Sequence, residues 1–203
     1  MNWLSRLLQL RRRPSPADAA QRAIDLDLPH AETRYVVLNT RASELNADDA
    51  RLQSIAAIAV EDGRIGATAS FMCAIDDEPA NGLAKLVEFT AGGPVVIFNA
   101  ELNRRLIERA LDEHLDLRPD WLWLDLYWLL PALFGEVYVR PTRLARWMDA
   151  LDIGTFQRFH ALGDAWVLAK LLLSVHSRAR AEGRLTAHAL ADLEASLREV
   201  AMR

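Results

Sequence analysis

Residues 35–65 read YVVLNTRASELNADDARLQSIAAIAVEDGRI, and this stretch decides the fold. Four apolar residues, Tyr35 to Leu38, form a short run of the kind a buried strand requires. A polar turn follows. A second run, Leu52 to Val60, alternates Ile, Val and Ala, which predicts a strand in a sheet with one well-buried face. It ends at Glu61-Asp62-Gly63-Arg64, a two-residue hairpin signal, so a third strand over 64–72 should return antiparallel to the second.

Outward from there the chain changes rhythm. A helix is expected near 83–91 and is stopped by Gly92-Gly93-Pro94. Residues 95–98 read as a fourth strand. Leu102, Leu106, Ala110 and Leu111 recur at helical spacing over 101–115. A fifth strand is predicted at 121–124, then helices near 126–133, 143–151 and 161–181. Thr186 reads as the N-cap of a last helix. Upstream, residues 17–28 read as a short helix. Three antiparallel strands followed by alternating helix and strand predict an α/β sandwich.

Four segments carry a family resemblance, in order and over roughly residues 34–175. The first strand ends in Asn39-Thr40-Arg41. Residues 94–103 read PVVIFNAELN, a buried strand followed by Asn99-Ala100 and, three residues on, Asn103. Residues 121–134 read WLWLDLYWLLPALF, a strand and an Asp-Leu helix start at Asp125. Residues 158–165 read RFHALGDA. The pattern resembles the DnaQ-like (DEDDh) 3′–5′ exonucleases, whose fold is RNase H-like. The resemblance implies a five-stranded mixed sheet, three antiparallel strands plus two parallel, flanked by helices. It also implies a Mg²⁺- or Mn²⁺-dependent active site built from an Asp-Thr-Glu strand end, an Asp in the second motif, and a His and an Asp in the last.

Against that pattern the chain departs at four of five catalytic positions. Asn39 and Arg41 stand where the resemblance implies Asp and Glu. Asn103 stands for Asp, and Phe159 for the catalytic His, with His160 one residue late. Only Asp164 is retained. Two-metal phosphodiester hydrolysis needs carboxylates converging on ions roughly 3.5–4 Å apart, and a general base for the attacking water. An asparagine keeps the shape of an aspartate without its charge and binds a hard divalent ion weakly. Arg41 places a fixed positive charge where metal charge would collect. The expectation is therefore an exonuclease-like protein without catalytic activity and without a metal cofactor. It would bind a nucleotide or nucleic-acid end, or a protein partner or second copy. The alternative is a metal-dependent exonuclease with a rebuilt site.

Arg41 has two readings. A guanidinium can hold a phosphate through paired hydrogen bonds without a metal, or it can pair internally with Asp164. The expected substrate-binding residues are Arg41, Asn99, Arg158 and His160. Glu101, Glu44 and His160 are neighbours that could stand in for lost groups, but each also reads as an ordinary surface residue. Asp125 reads as a helix N-cap. Trp121, Trp123 and Trp128 read as core before they read as base-stacking platforms. Arg140, Arg143 and Arg146 form a local basic stretch. His114, His176 and His188 show no metal-ligand spacing. The family's longer excursion after the third strand is missing, with only residues 74–81 in its place.

Bulk properties set the remaining bounds. At 203 residues the chain suits one domain (34–182) with an N-terminal extension (1–33) and a C-terminal helix (183–203). Its 51% hydrophobic content supports a sizeable core. A net charge of −4 argues against a general nucleic-acid coat, though not against a local basic cleft. A single cysteine, Cys73, excludes an internal disulfide and fits a reducing cytoplasm. No apolar run reaches membrane-spanning length. The N-terminal MNWLSRLLQLRRRPSP places Trp3, Leu4, Leu7 and Leu8 on one helical face beside Arg6, Arg11, Arg12 and Arg13. It reads either as an amphipathic helix packed on protein or as one resting on a lipid surface.

Overall fold

The computed structural model describes residues 15–20, 24–43, 50–75, 78–154 and 160–202, with the backbone alone at Ala67 and Thr68. The N-terminal basic segment, Glu44, Arg158 and Phe159 lie outside the described residues.

The sheet grows from the hairpin the sequence announced. Strand β1 (Tyr35–Ala42) pairs antiparallel with β2 (Leu52–Glu61), and β2 pairs antiparallel with β3 (Arg64–Ala74). At the β2–β3 turn, Asp62 and Gly63 both take positive φ, 51° and 67°. Two left-handed residues in succession match the strand twist, which is why Asp-Gly is favoured there. Strand β4 (Val95–Ile97) then adds parallel to β1, and β5 (Trp123–Asp125) parallel to β4. The order is β3-β2-β1-β4-β5, the five-stranded mixed sheet that was expected.

Helices cover both faces. The short α1 (Pro16–Ala20) precedes the sheet. Helices α2 (Pro79–Thr90) and α3 (Ala100–Leu115) lie on one face, and α4 (Leu126–Leu133), α5 (Leu144–Ala150), α6 (Ala161–Ala181) and α7 (Ala187–Ala201) on the other. Alternation along β1 sorts the core. Tyr35 and Val37 point to the α6 side with Ala56, Ile58, Leu124, Leu168 and Leu172. Val36 and Leu38 point to the α2–α3 side with Ile55, Leu83, Leu86, Ile107 and Leu111. Because both faces are covered, Tyr35 to Leu38 are all buried, and the strand reads as an unbroken apolar run.

Two local details follow from backbone chemistry. Helix α2 opens on Pro79, where a missing N–H costs nothing, and closes on Ala91 in the left-handed region. At Gly93 an added Cβ would sit 2.4 Å from the Arg34 carbonyl oxygen, so only glycine lets the chain enter β4 beside β1.

The expectation of a helix over 17–28 needs correcting. Among the described residues helix α1 covers Pro16–Ala20, and residues 24–28 are not helical, with a turn at 26–27. Asp25 shows why, since its carboxylate accepts from the Asp27 backbone N–H at 2.9 Å. This local bond competes with helix continuation. Among the described residues no helix is long and apolar enough to cross a membrane.

Candidate functional site

The end of β1 is where the motif residues meet. Asn39 lies on the α6 side, and its Nδ2 donates to the Ala161 carbonyl at 3.2 Å, in the first turn of α6. Thr40 lies on the opposite side and its hydroxyl donates to Asn103 Oδ1 in α3. Adjacent residues of one strand thus reach the two helical layers.

Asn103 is bound on every side of its amide. Its Nδ2 donates to the carbonyls of Phe98, at 3.0 Å, and Asn99, at 3.1 Å. Two carbonyl acceptors can be satisfied only by an NH₂, which leaves Oδ1 facing the Thr40 hydroxyl. A carboxylate here would set negative oxygens against two carbonyl oxygens. The position is built for an amide.

Arg41 lies two residues beyond Asn39 on the same side of β1 and is exposed, just before an irregularity in the pairing with β2. Asp164 occupies the first turn of α6, half-buried, and its backbone N–H donates to the His160 carbonyl at 3.0 Å. His160 is the N-cap residue of α6 but makes no side-chain cap. Its Nδ1 is buried with no hydrogen-bond partner among the described residues. Glu101 is exposed and pairs with Arg105 at 3.1 Å, as a surface residue does.

Asn99 links this site to a second cluster. It is exposed and adopts φ 61°, a left-handed conformation that asparagine tolerates better than most residues. Asp125 holds that turn. Its carboxylate accepts from the backbone N–H groups of Asn99 and Ala100, both at 2.8 Å, and from Tyr127 at 2.9 Å. It therefore caps α4, as the sequence implied, and also the start of α3. Behind it, Arg198 of α7 donates to Asp125 at 3.1 Å and to Glu194 at 3.0 Å, and Glu194 accepts from the Asp125 N–H at 2.7 Å. Burial raises the pKa of both acids, although the N–H donors and the guanidinium pull the other way. The sequence pointed to Asp125 but gave no sign of Glu194 or Arg198, which lie 69 and 73 residues away.

A cleft of about 620 Å³ opens beside Asn99 and Asn103, lined also by Phe98, Tyr127, Thr142 and Arg143. The Phe98 and Tyr127 rings meet edge-on, 5.6 Å apart. A larger cavity of about 790 Å³ lies between α3 and the start of β2, lined by Arg51, Leu106, Arg109 and His114 among others, and holds none of the motif residues. Of the three tryptophans, Trp121 is core, while Trp123 and Trp128 are half-buried under Arg104 and Arg198.

Of the expected site residues, the structure brings together Asn39, Asn103 and the first turn of α6 that carries Asp164. Among the described residues, no group of three or more His, Cys, Asp or Glu could hold a metal ion. The described donors at this end of the sheet, two engaged amides, one guanidinium and one carboxylate, do not fit Mg²⁺ or Mn²⁺, which prefer several anionic oxygens.

No protein-family model matches the chain, and no curated protein sequence does. Solved structures do. E. coli exonuclease I bound to a dT13 oligonucleotide superposes with a TM-score of 0.58 at 12% identity. The chain has the RNase H-like fold of the DnaQ-like exonucleases. The dA16 complex gives a TM-score of 0.57 at 13% identity, and apo exonuclease I gives 0.56 at 12%. Each match covers 73% of this chain, which in turn spans less than half of exonuclease I, 42–43% of its length.

Proposed function

We propose that this chain is a catalytically inactive relative of the DnaQ-like exonucleases that binds a nucleotide or a nucleic-acid end at the C-terminal end of β1. The engaged amide of Asn103 carries the reading. In a two-metal nuclease that position supplies a charged ligand. Here it ties β1 to the α3 turn, and neither its charge nor its lone pairs favour a cation.

What remains suits a phosphate and a base. Arg41 is an exposed cation on the side of β1 that faces α6, and Arg143 lines the neighbouring cleft with Phe98 and Tyr127. Guanidinium groups recognise phosphate without a metal, and aromatic faces accept any base. Exonuclease I, similar in fold, has been solved with oligonucleotides.

Calorimetric titration with a mononucleotide, with and without Mg²⁺ or Mn²⁺, tests the proposal. Binding that needs no metal, is weakened by salt and is lost in Arg41→Ala supports it. Metal binding would point instead to a rebuilt active site. So would nuclease activity that survives repurification and vanishes in Asp164→Ala. No binding of either would leave a purely structural subunit.

A further inference from the structure

Most of the described arginines pair with a carboxylate. Arg140, Arg143 and Arg146, between α4 and the middle of α5, do not. All three are exposed, and none has a carboxylate partner among the described residues. They also lie close together. Arg140 and Arg143 are three residues apart, so their Cα atoms are separated by at most about 11 Å. Arg146 stands one turn further on, its N–H donating to the Arg143 carbonyl at 3.0 Å. The Arg146 guanidinium rests over the Tyr138 ring, 5.5 Å from its centroid, which helps to hold it in place. The acids nearest in sequence do not offset the group: Glu136 is engaged by Arg178, and exposed Asp149 makes no ion pair with Arg146. In a chain of net charge −4 this is a local surplus of positive charge.

Arg143 joins this surplus to the cleft, which it lines with Phe98, Asn99 and Tyr127. We propose that Arg140, Arg143 and Arg146 hold the phosphate backbone of a single strand leaving that cleft, so that the ligand is an oligonucleotide rather than a mononucleotide. The proposal rests on the nucleotide reading of the site and extends it along the α4–α5 surface. A base can stack on an aromatic side chain only when it is unpaired, which favours a single strand over a duplex. Phosphates repeat along a strand, so one occupant meets several guanidinium groups in succession. An acidic peptide would answer the arginines but would leave Phe98 and Tyr127 without a base to stack on.

Calorimetric titration of the full chain with thymidine monophosphate and with oligothymidylates of increasing length, each at several salt concentrations, tests this. Affinity should rise at least about tenfold from the mononucleotide to the longer strands, with a salt slope that steepens by roughly 0.7 for each phosphate engaged. The Arg140→Ala, Arg146→Ala double variant should lose that gain with length and still bind the mononucleotide as the parent does. The Arg140→Lys, Arg146→Lys variant keeps the charge and should recover most of the salt slope. Equal affinity for mononucleotide and oligonucleotide would overturn this proposal alone. So would a length gain that survives the double alanine variant, or an oligoglutamate peptide that binds as tightly as the strand. Binding of neither mononucleotide nor oligonucleotide would overturn the nucleotide reading together with it.

Discussion

Two polar clusters stand within one helix turn of each other and carry charge in opposite ways. The Asp125 cluster keeps its acids. Asp125 is only 2% exposed, yet it answers three backbone N–H groups and a guanidinium. The cluster at the end of β1 has amides at two of its three pattern positions and a cation at the third, Arg41. The difference teaches what lets a carboxylate persist. Asp125 has its positive complement inside the chain. On the proposed reading, acids at positions 39, 41 and 103 would have it only from bound ions. Where that ion does not fit, like charges held close are a liability, and neutral groups that hydrogen-bond across the same gap stabilise the fold instead.

The strongest test of this contrast is Asp125→Ala. Three N–H groups and Arg198 would lose their acceptor together, and Glu194 would be left to balance Arg198 alone. Breaking a buried charged pair costs about 3–5 kcal/mol, so the urea midpoint should fall sharply. A loss under about 1 kcal/mol would show that the buried acid is not what holds the two helix starts.

Titration separates the clusters further, because amides do not ionise. Another buried group must be counted first. His176, which the sequence left standing alone, stacks on His30 with ring centroids 4.3 Å apart. His30 accepts from the Tyr35 hydroxyl at 2.6 Å and donates to the Arg184 carbonyl at 3.1 Å, while His176 finds no partner among the described residues. Burial, with the neighbouring His30, lowers His176 from 6.5 to about 3, and burial lowers His30 as well. A folded-state pKa below the unfolded value means stability is complete above about pH 6.5 and is lost as pH falls toward 3. Asp125 and Glu194, whose pKa values are raised, act oppositely: their protonation favours the fold below the unfolded values of 3.8 and 4.5, a gain lost as pH rises through their folded values. Below about pH 6.5 the buried His176 should contribute a slope approaching about 1.4 kcal/mol per pH unit. His176→Phe should remove most of that slope. If the slope persists unchanged, the destabilising proton binds elsewhere.

Asn103→Asp probes the amide cluster directly. Introducing an acid removes two donated bonds and sets an anion against the Phe98 and Asn99 carbonyls. We expect a loss of about 1–3 kcal/mol, with no gain of nuclease activity. A variant as stable as the parent would mean the amide network is incidental.

The smallest effect belongs to Arg41 and Asp164. If they pair, the exposure of Arg41 limits the pair to about 1 kcal/mol or less. A denaturation double-mutant cycle of Arg41→Ala with Asp164→Ala should show that small coupling. Strict additivity would leave phosphate binding as the better account of the arginine.

Much of the fold was legible along the chain. The Asp62-Gly63 hairpin, the α4 span beginning after Asp125, the α6 span beginning at Ala161 and the Thr186 cap all rest on short-range chemistry. Thr186 indeed accepts from the Ala189 N–H at 3.2 Å. The helix expected over 17–28 fails at 26–27, where an Asp25 side-chain bond turns the chain. The substitutions at 39, 41 and 103 were visible as residue types. Their bonding was not.

The sequence by itself determined the strand and helix pattern, the hairpin register and the residue types at the pattern positions. Periodicity and turn preference act between residues a few positions apart, so they can be read in order. Only the tertiary structure decided that Asn103 spends its amide on Thr40, Phe98 and Asn99, that Arg198 and Glu194 stand behind Asp125, and that His176 lies on His30. Those pairings arise where the sheet and its two helical layers close on one another, and hydrogen bonding and burial there depend on distance in space rather than along the chain.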